Sequence, residues 1–372
     1  MNISRFSVVL PCFNIGGRFN HFIQGVCSVV NQTLQPAELL IVDDGSSDNS
    51  VELIEQQVRP LVELFFPLRL IRLKENSGVS IARNRGIIEA KSDYLAFIDF
   101  DDLWFPQYLE SIARVFNEHC ASQLVLSKTI FWTTRKGRTK ARVQEFPDEI
   151  NEWSVVPLID YVTRHNFPVA MGSAVACRKA IFARRPDLMF DEFLSKETAE
   201  DVHFGLKFLA SSLKPYFLSK PLVIHRTFFI RSVSRSQGAH LFKDELKTHD
   251  YMVKTVGREL IQLLVSEHSS LTTNMLALQA DLRNKFLFKS NFLHCKLLPL
   301  ISQLISRPIL FKQLIRLLVL KLFGQTDLAM DIAFAQRPNS SVIRESVDGL
   351  IANQKTWYDS LIKPTSDGLG AK

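Results

Sequence analysis

Tyr94-Leu95-Ala96-Phe97-Ile98-Asp99-Phe100-Asp101-Asp102 is an unbroken apolar run that passes directly into a cluster of acids. Apolar residues without alternation, bounded by polar ones, are the form of a parallel strand covered on both faces. The same pattern occurs upstream. Phe6-Ser7-Val8-Val9-Leu10 stops at Pro11-Cys12-Phe13-Asn14, and Leu39-Leu40-Ile41-Val42 stops at Asp43-Asp44-Gly45-Ser46-Ser47-Asp48. Leu68 to Leu73 reads as a further strand. Helical periodicity fills the intervals. It covers Phe19 to Val30, with Phe22, Val26, Val29 and Val30 on one face, and Val79 to Ala90. Another helix begins near Ser50, where Ser46, Ser47 or Asp48 can cap it. Strands alternating with helices predict βαβ units, an α/β class and a mostly parallel central sheet.

In such sheets ligands bind beyond the carboxyl ends of the strands. Pro11–Asn14, Asp43-Asp44 and Asp99/Asp101/Asp102 all fall at that edge. Any one of these loops reads equally well as a helix cap or a turn; three together point to a common site. Two carboxylates spaced i, i+2 in a turn can reach one hard divalent cation, or divide between a cation and a ribose hydroxyl. Mg²⁺ and Mn²⁺ accept one or two carboxylates and complete their shell with phosphate oxygens and water. A diphosphate is the natural partner of such a triplet.

Composition narrows the class. The 372 residues are 46% hydrophobic and 22% charged, which excludes a disordered, collagen-like or coiled-coil chain. The cysteines, Cys12, Cys27, Cys120, Cys177 and Cys295, are scattered and form no CxxC pair, so neither a zinc ribbon nor a disulfide framework is expected. A reducing compartment is the simplest reading. The apolar run before Pro11 is too short for a signal peptide, and no stretch of about 18 residues is apolar enough to span a bilayer. These features predict action in the cytosol. The net charge of +7 is concentrated late, with 17 Lys and Arg against 12 Asp and Glu in 236–372.

Further motifs extend the pattern. Ser28-Val29-Val30-Asn31-Gln32-Thr33 closes the first helix, and Asn76-Ser77-Gly78-Val79-Ser80-Ile81-Ala82-Arg83-Asn84-Arg85-Gly86 opens another. Ile98 to Trp104 carries the DxD triplet, and Ala199-Glu200-Asp201 precedes a helix reaching about Ala210. In this order and spacing, over roughly residues 5–235, the chain resembles the family-2 glycosyltransferases. That resemblance implies a GT-A fold, a nucleotide-diphosphate sugar donor, UDP-linked, and inversion at the anomeric carbon.

The resemblance also implies roles. Pro11, Asn14, Asp43 and Asp44 fall where the family contacts base and ribose, helix capping being the other reading of the acids. Gly78 and Arg83 lie in the segment that lines the nucleotide and diphosphate; Arg83 binds phosphate or makes a structural salt bridge. Asp99 and Asp101 match the DxD, with Asp101 the first choice as metal ligand for Mn²⁺ or Mg²⁺. Asp102 orders the loop or shares that role. Asp201 is the candidate general base, and Glu200 orients a partner or the acceptor. At the helix N-terminus the same acids also suit the helix dipole. His225, before the basic Arg231 and Arg235, is either a metal ligand or an ordinary core or surface histidine.

The catalytic region is expected over 1–237, with a nucleotide-sugar half to about 110 and an acceptor half over 111–237. An α-helical region is expected over 238–372. Within it, residues 282–326 hold eight Lys and Arg and no acid among many Leu, Ile and Phe. They read either as helices lying on an anionic membrane or as helices packed on protein. The whole implies a cytoplasmic, peripheral-membrane hexosyl- or N-acetylhexosaminyltransferase. Its acceptor would be a hydroxyl of a glycan or lipid-linked saccharide in cell-surface polysaccharide synthesis. The alternative is an inactive GT-A-like scaffold or glycan-binding subunit. A nucleotidyltransferase lacks its Gly-rich basic loop here, and no basic helix with interleaved aromatics suggests nucleic acid.

Overall fold

The computed structural model describes residues 5–135, 138–143, 153–158, 172–195, 200–211 and 213–228, together with Tyr251 and Thr255. The helical region expected over 238–372, its stretch 282–326, and Arg231 and Arg235 lie outside the described residues, Tyr251 and Thr255 apart. Among the described residues no helix is long and apolar enough to cross a membrane.

A ten-stranded mixed sheet forms the centre. Its first half is parallel: β1 (Phe6–Cys12), β2 (Glu38–Asp43), β3 (Leu68–Arg72) and β4 (Tyr94–Phe97), in the order β3-β2-β1-β4. Every residue of β1 and β2 is buried, which explains why these strands read as continuous apolar runs. Their ends are in register. Cys12 lies beside Asp43 and Asp43 beside Arg72, so β1, β2 and β3 finish level. The second half departs from the mostly parallel expectation. β9 (Val175–Arg178) runs antiparallel to both β4 and β6 (Ser122–Arg135), while β10 (Lys214–Phe228) is parallel to β6. β5 (Leu103–Trp104) and β8 (Val155–Pro157) pair antiparallel with β10, and β7 (Arg138–Val143) with β6. β9 follows a 3₁₀ turn at Gly172–Ala174.

Among the described residues the α-helices are α1 (Phe19–Val30), α2 (Ser50–Leu53), α3 (Arg59–Val62), α4 (Val79–Glu89), α5 (Tyr108–Glu118), α6 (Ala180–Arg184) and α7 (Glu200–Ala210). α1 buries Phe22, Val26, Val29 and Val30, the face its periodicity predicts. A π-helical turn over Ile54–Val58 joins α2 to α3. Pro60, in the first turn of α3, has no N–H with which to continue an α-helical ladder.

The strand order places a topological switch between β1 and β4, since the chain moves outward to β2 and β3 and then returns to the other side of β1. The crevice at such a point is where open α/β sheets take ligands. Here it lies between Cys12–Asn14 and the acid-rich turn after β4.

Candidate active site

The loops after β1 and β2 are stitched together by their polar residues. Asn14 has a left-handed backbone (φ 46°) that lets its side chain reach across. Its Oδ1 accepts the N–H of Ser47 at 2.9 Å, and its own N–H is given to Ser46 Oγ at 2.8 Å. Asp48 accepts the Gly16 and Ser50 N–H groups, at 2.9 and 3.0 Å, and is the one of the three capping candidates whose side chain engages Ser50. These bonds hold the Asp48 carboxyl below its usual range against the opposing effect of burial. Asp43 is fully buried and accepts the Ser46 N–H at 3.3 Å, with Arg72 Nε 3.6 Å away. Asp44 reaches further. Its two oxygens accept the N–H groups of Ser77 and Gly78, at 2.7 and 2.8 Å, tying the β2 loop to the entrance of α4.

The turn after β4 is held from below. Asp102 is buried, and its N–H is donated to Asp99 O at 3.0 Å. Its Oδ2 accepts from Ser173 Oγ at 2.6 Å and lies 3.1 Å from His225 Nδ1; its Oδ1 accepts the Arg226 N–H at 3.0 Å. Burial opposes ionisation of Asp102, but the His225 imidazolium and these hydrogen bonds hold its pKa below the usual value. Asp102 in turn raises His225 well above an ordinary imidazole, although the ring remains 41% exposed. Trp104 completes the support, donating Nε1–H to Ser173 O at 2.7 Å.

Asp99 and Asp101 sit above this base with side chains 27% and 22% exposed. Asp99 Oδ1 accepts from Arg83 at 2.6 Å. Asp101 makes no hydrogen bond through its carboxylate among the described residues; Arg18 is its nearest cation, at 3.8 Å. Burial, then the Asp102 and Asp99 carboxylates, push Asp101 up from the ordinary range, and Arg18 and Arg226 offset part of this. Asp101 is thus crowded by carboxylates that oppose its ionisation.

The acids at the start of α7 meet the same turn through Arg83. This side chain is only 2% exposed and bridges Asp99 to Glu200, whose Oε1 accepts from the other guanidinium nitrogen at 2.8 Å. Of its two readings, the salt bridge is the one realised. Burial and the adjacent Asp201 push Glu200 up to about 7 despite Arg83. Asp201 Oδ1 accepts the Val202 N–H at 2.7 Å and Oδ2 the Gly172 N–H at 3.4 Å. Gly78 has φ 94° and packs against Ser195: a Cβ there would lie 2.2 Å from Ser195 O. Pro11 lies in β1 beside Val42.

Residues 7–186 match the description Glycosyl transferase family 2. The poly(ribitol-phosphate) beta-N-acetylglucosaminyltransferase TarP of Staphylococcus aureus (strain N315) is 31% identical over 214 residues, 56% of this chain and 59% of that protein. Residues 7–186 are a glycosyl transferase family 2 domain. A second relative, the glycosyltransferase YibD of Escherichia coli (strain K12), is 37% identical over 109 residues, 29% of each protein. The chain thus spans less than two thirds of either of these curated relatives. Crystalline S. aureus TarS 1–349 in complex with UDP-GlcNAc aligns with a TM-score of 0.52 and 20% identity, covering 76% of this chain and 80% of that one. The fold of the family 2 domain is GT-A, as the motifs implied.

Family 2 domains of this fold commonly use a divalent metal. Among the described residues no group of three or more His, Cys, Asp or Glu converges to hold one. The donor set nevertheless fits a cation that takes most of its ligands from elsewhere. Among the described residues Asp101 has both oxygens without hydrogen bonds and Asp99 has Oδ2 so placed, and their mutual repulsion is only partly offset by Arg18 and Arg226. His225 uses Nδ1 on Asp102, the arrangement that orients a metal-binding histidine and leaves Nε2 as its other nitrogen.

Several residues of the site were not marked by their sequence context. Ser173 and Arg226 build the floor of the DxD turn, and Ser195 seats Gly78. Arg226 Nη2 donates to His21 O at 2.9 Å, and its Nε donates to Asp101 O. Their partners in the site are between 69 and 205 positions away, so no local pattern announces them, save that Arg226 directly follows His225.

Proposed function

We propose that this protein is a metal-dependent, inverting glycosyltransferase that moves a hexosyl or N-acetylhexosaminyl group from a UDP-linked donor to a hydroxyl of a surface glycan or lipid-linked saccharide. One observation carries the reading furthest: Arg83 joins Asp99 of the DxD turn to Glu200 at the start of α7, so donor-side and acceptor-side acids meet in one crevice. The activity for which TarP is named and the donor in the TarS complex favour a UDP-linked N-acetylhexosamine and an anionic polymer as acceptor class.

In this reading Asn14, Asp43 and the β1–β2 loops receive the nucleoside, and Asp99 and Asp101 face the diphosphate. Asp101, with Asp99 and His225, would hold Mn²⁺ or Mg²⁺, which when bound supplies Lewis-acid neutralisation of the leaving diphosphate. Asp201 takes the proton of the acceptor hydroxyl. The hydroxyl oxygen forms the new bond to the anomeric carbon while the bond to the diphosphate oxygen breaks, and its electron pair leaves with the nucleotide. Direct displacement inverts the centre. A base in this role must come within hydrogen-bond reach of the hydroxyl. The basic apolar stretch 282–326 would keep the enzyme on an anionic membrane, close to a lipid-linked acceptor.

The test is release of free nucleoside diphosphate from a panel of nucleotide sugars, with Mn²⁺, Mg²⁺ or EDTA, beside Asp101→Ala. Selective, metal-dependent release that the variant loses is expected. Equal release in EDTA, or by Asp101→Ala, would overturn the metal assignment, and no release across donors and glycan acceptors would overturn the activity.

A further inference from the structure

The segment Asn76–Gly86 was expected to line the donor diphosphate. Its Asn84 side chain is engaged by the backbone of Phe190, and its Arg83 side chain by Asp99 and Glu200. Asn84 makes a two-way bond with the backbone of Phe190: Nδ2 donates to Phe190 O and Oδ1 accepts the Phe190 N–H, both at 2.9 Å. The first-turn amides of α4 are taken by Ser195, whose carbonyl accepts the Val79 N–H at 3.0 Å and whose Oγ accepts the Ile81 N–H at 3.1 Å. Arg83 then holds Glu200 at 2.8 Å, with its guanidinium 5.1 Å from the centre of the Phe190 ring. Three anchors on one helix thus grip the chain at residues 190, 195 and 200, immediately before Asp201.

The helix itself is seated firmly. Gly86 lets it close on β1, where a Cβ would lie 2.3 Å from Val9 Cγ1. Its entrance is fixed by Asp44 through the Ser77 and Gly78 amides. A helix pinned to the sheet and to the nucleotide-side loop transmits the position of both to whatever it grips.

We propose that α4 is the positioning element of the acceptor side, with Asn84, Ser195 and Arg83 as positioning residues that set the distance of Asp201 from the donor. The proposal rests on the transferase reading above. Glu200 is then an anchor and not a proton acceptor, since one of its oxygens is held by Arg83.

The experiment compares Asn84→Ala, Arg83→Lys and Asp201→Asn in the full chain, measuring kcat, donor KM and calorimetric binding of UDP with Mn²⁺. Asn84→Ala is expected to lower kcat by roughly 10- to 100-fold, with donor KM and UDP affinity within about twofold of wild type, whereas Arg83→Lys, which also loosens Asp99, is expected to lower kcat and to weaken UDP binding as well. Glu200→Gln, which keeps an oxygen for Arg83, should retain most activity where Glu200→Ala does not. If Asn84→Ala fails to fold by circular dichroism, Ser195→Ala, which removes one hydrogen bond, decides by the same split. Unchanged kcat in the α4 variants with an inactive Asp201→Asn would overturn the positioning role and leave the transferase reading intact. Loss of UDP binding with kcat retained would return the motif to donor contact. Full activity in Asp201→Asn would instead overturn the assignment of the base.

Discussion

Replacing Asp102 by Asn tests whether the last acid of the DxD turn is structural. Asp102 is 1% exposed and accepts from Ser173, Arg226 and His225 at 2.6, 3.0 and 3.1 Å. Asn keeps one oxygen and puts an NH₂ where the other was. If the oxygen stays toward Arg226 N–H, the NH₂ faces the Ser173 hydroxyl and the His225 N–H, two groups that need an acceptor. A hydrogen bond to a charged group contributes about 1.5–3 kcal/mol, and breaking a buried pair costs about 3–5 kcal/mol. His225 is partly solvated, which lowers the expectation to about 3 kcal/mol. With a urea slope of about 2–3 kcal/mol/M, the midpoint should fall by roughly 1 M. The assay is urea denaturation in EDTA followed by circular dichroism, on Asp102→Asn, His225→Gln and the double variant. The pair should couple by at least about 1 kcal/mol. A midpoint shift under about 0.3 M, or additive single effects, would refute the reasoning.

The same pair gives a pH dependence. Asp102 has a lowered folded pKa, so its contribution is present above its unfolded value near 3.9 and is lost as pH falls through the folded one. His225 has a raised folded pKa, so its contribution is full below about 6.5 and is lost as pH climbs through its folded value. The stability difference between wild type and Asp102→Asn should peak between about pH 4 and 6.5 and shrink on both sides, as denaturation at stepped pH would read; a flat difference would contradict it. Gly78→Ala combines a backbone conformation reserved for glycine with a 2.2 Å approach to Ser195 O, and should cost about 2–5 kcal/mol. Gly17→Ala, where a Cβ meets nothing within 4 Å, should stay within about 0.5 kcal/mol in the same thermal melt. Trp104→Phe orphans Ser173 O inside the floor of the turn and should cost about 1–3 kcal/mol by urea midpoint.

The parallel half of the sheet was legible because β1 and β2 are buried throughout and β4 nearly so, leaving Ser7 as the one polar residue inside their apolar runs. β1, β2 and β4 therefore announce themselves, as does the α1 stripe. The second half was harder to read. β6 and β10 mix Ser, Lys and Thr with apolar residues, and β9 is four residues inserted antiparallel between strands from elsewhere in the chain. The site divides in the same way. Residue types and their place at strand ends were visible, but partners were not. The neighbours of Asp44 in sequence do not show that its oxygens accept amides more than thirty positions away, and those of Gly78 do not show that it packs against Ser195. Arg83 had two readings because nothing near it in sequence shows that Asp99 and Glu200, 117 positions apart from it at most, come to either side.

The central claim is that the crevice between β1 and β4 receives a nucleoside diphosphate beside Asp101. Isothermal calorimetry of UDP with the full chain tests it most directly. Saturable binding near one site per chain in Mn²⁺, abolished by EDTA and by Asp101→Ala but kept in Asp201→Asn, is the predicted result. Absence of binding to UDP and to other nucleoside diphosphates, or binding untouched by Asp101→Ala, would contradict it.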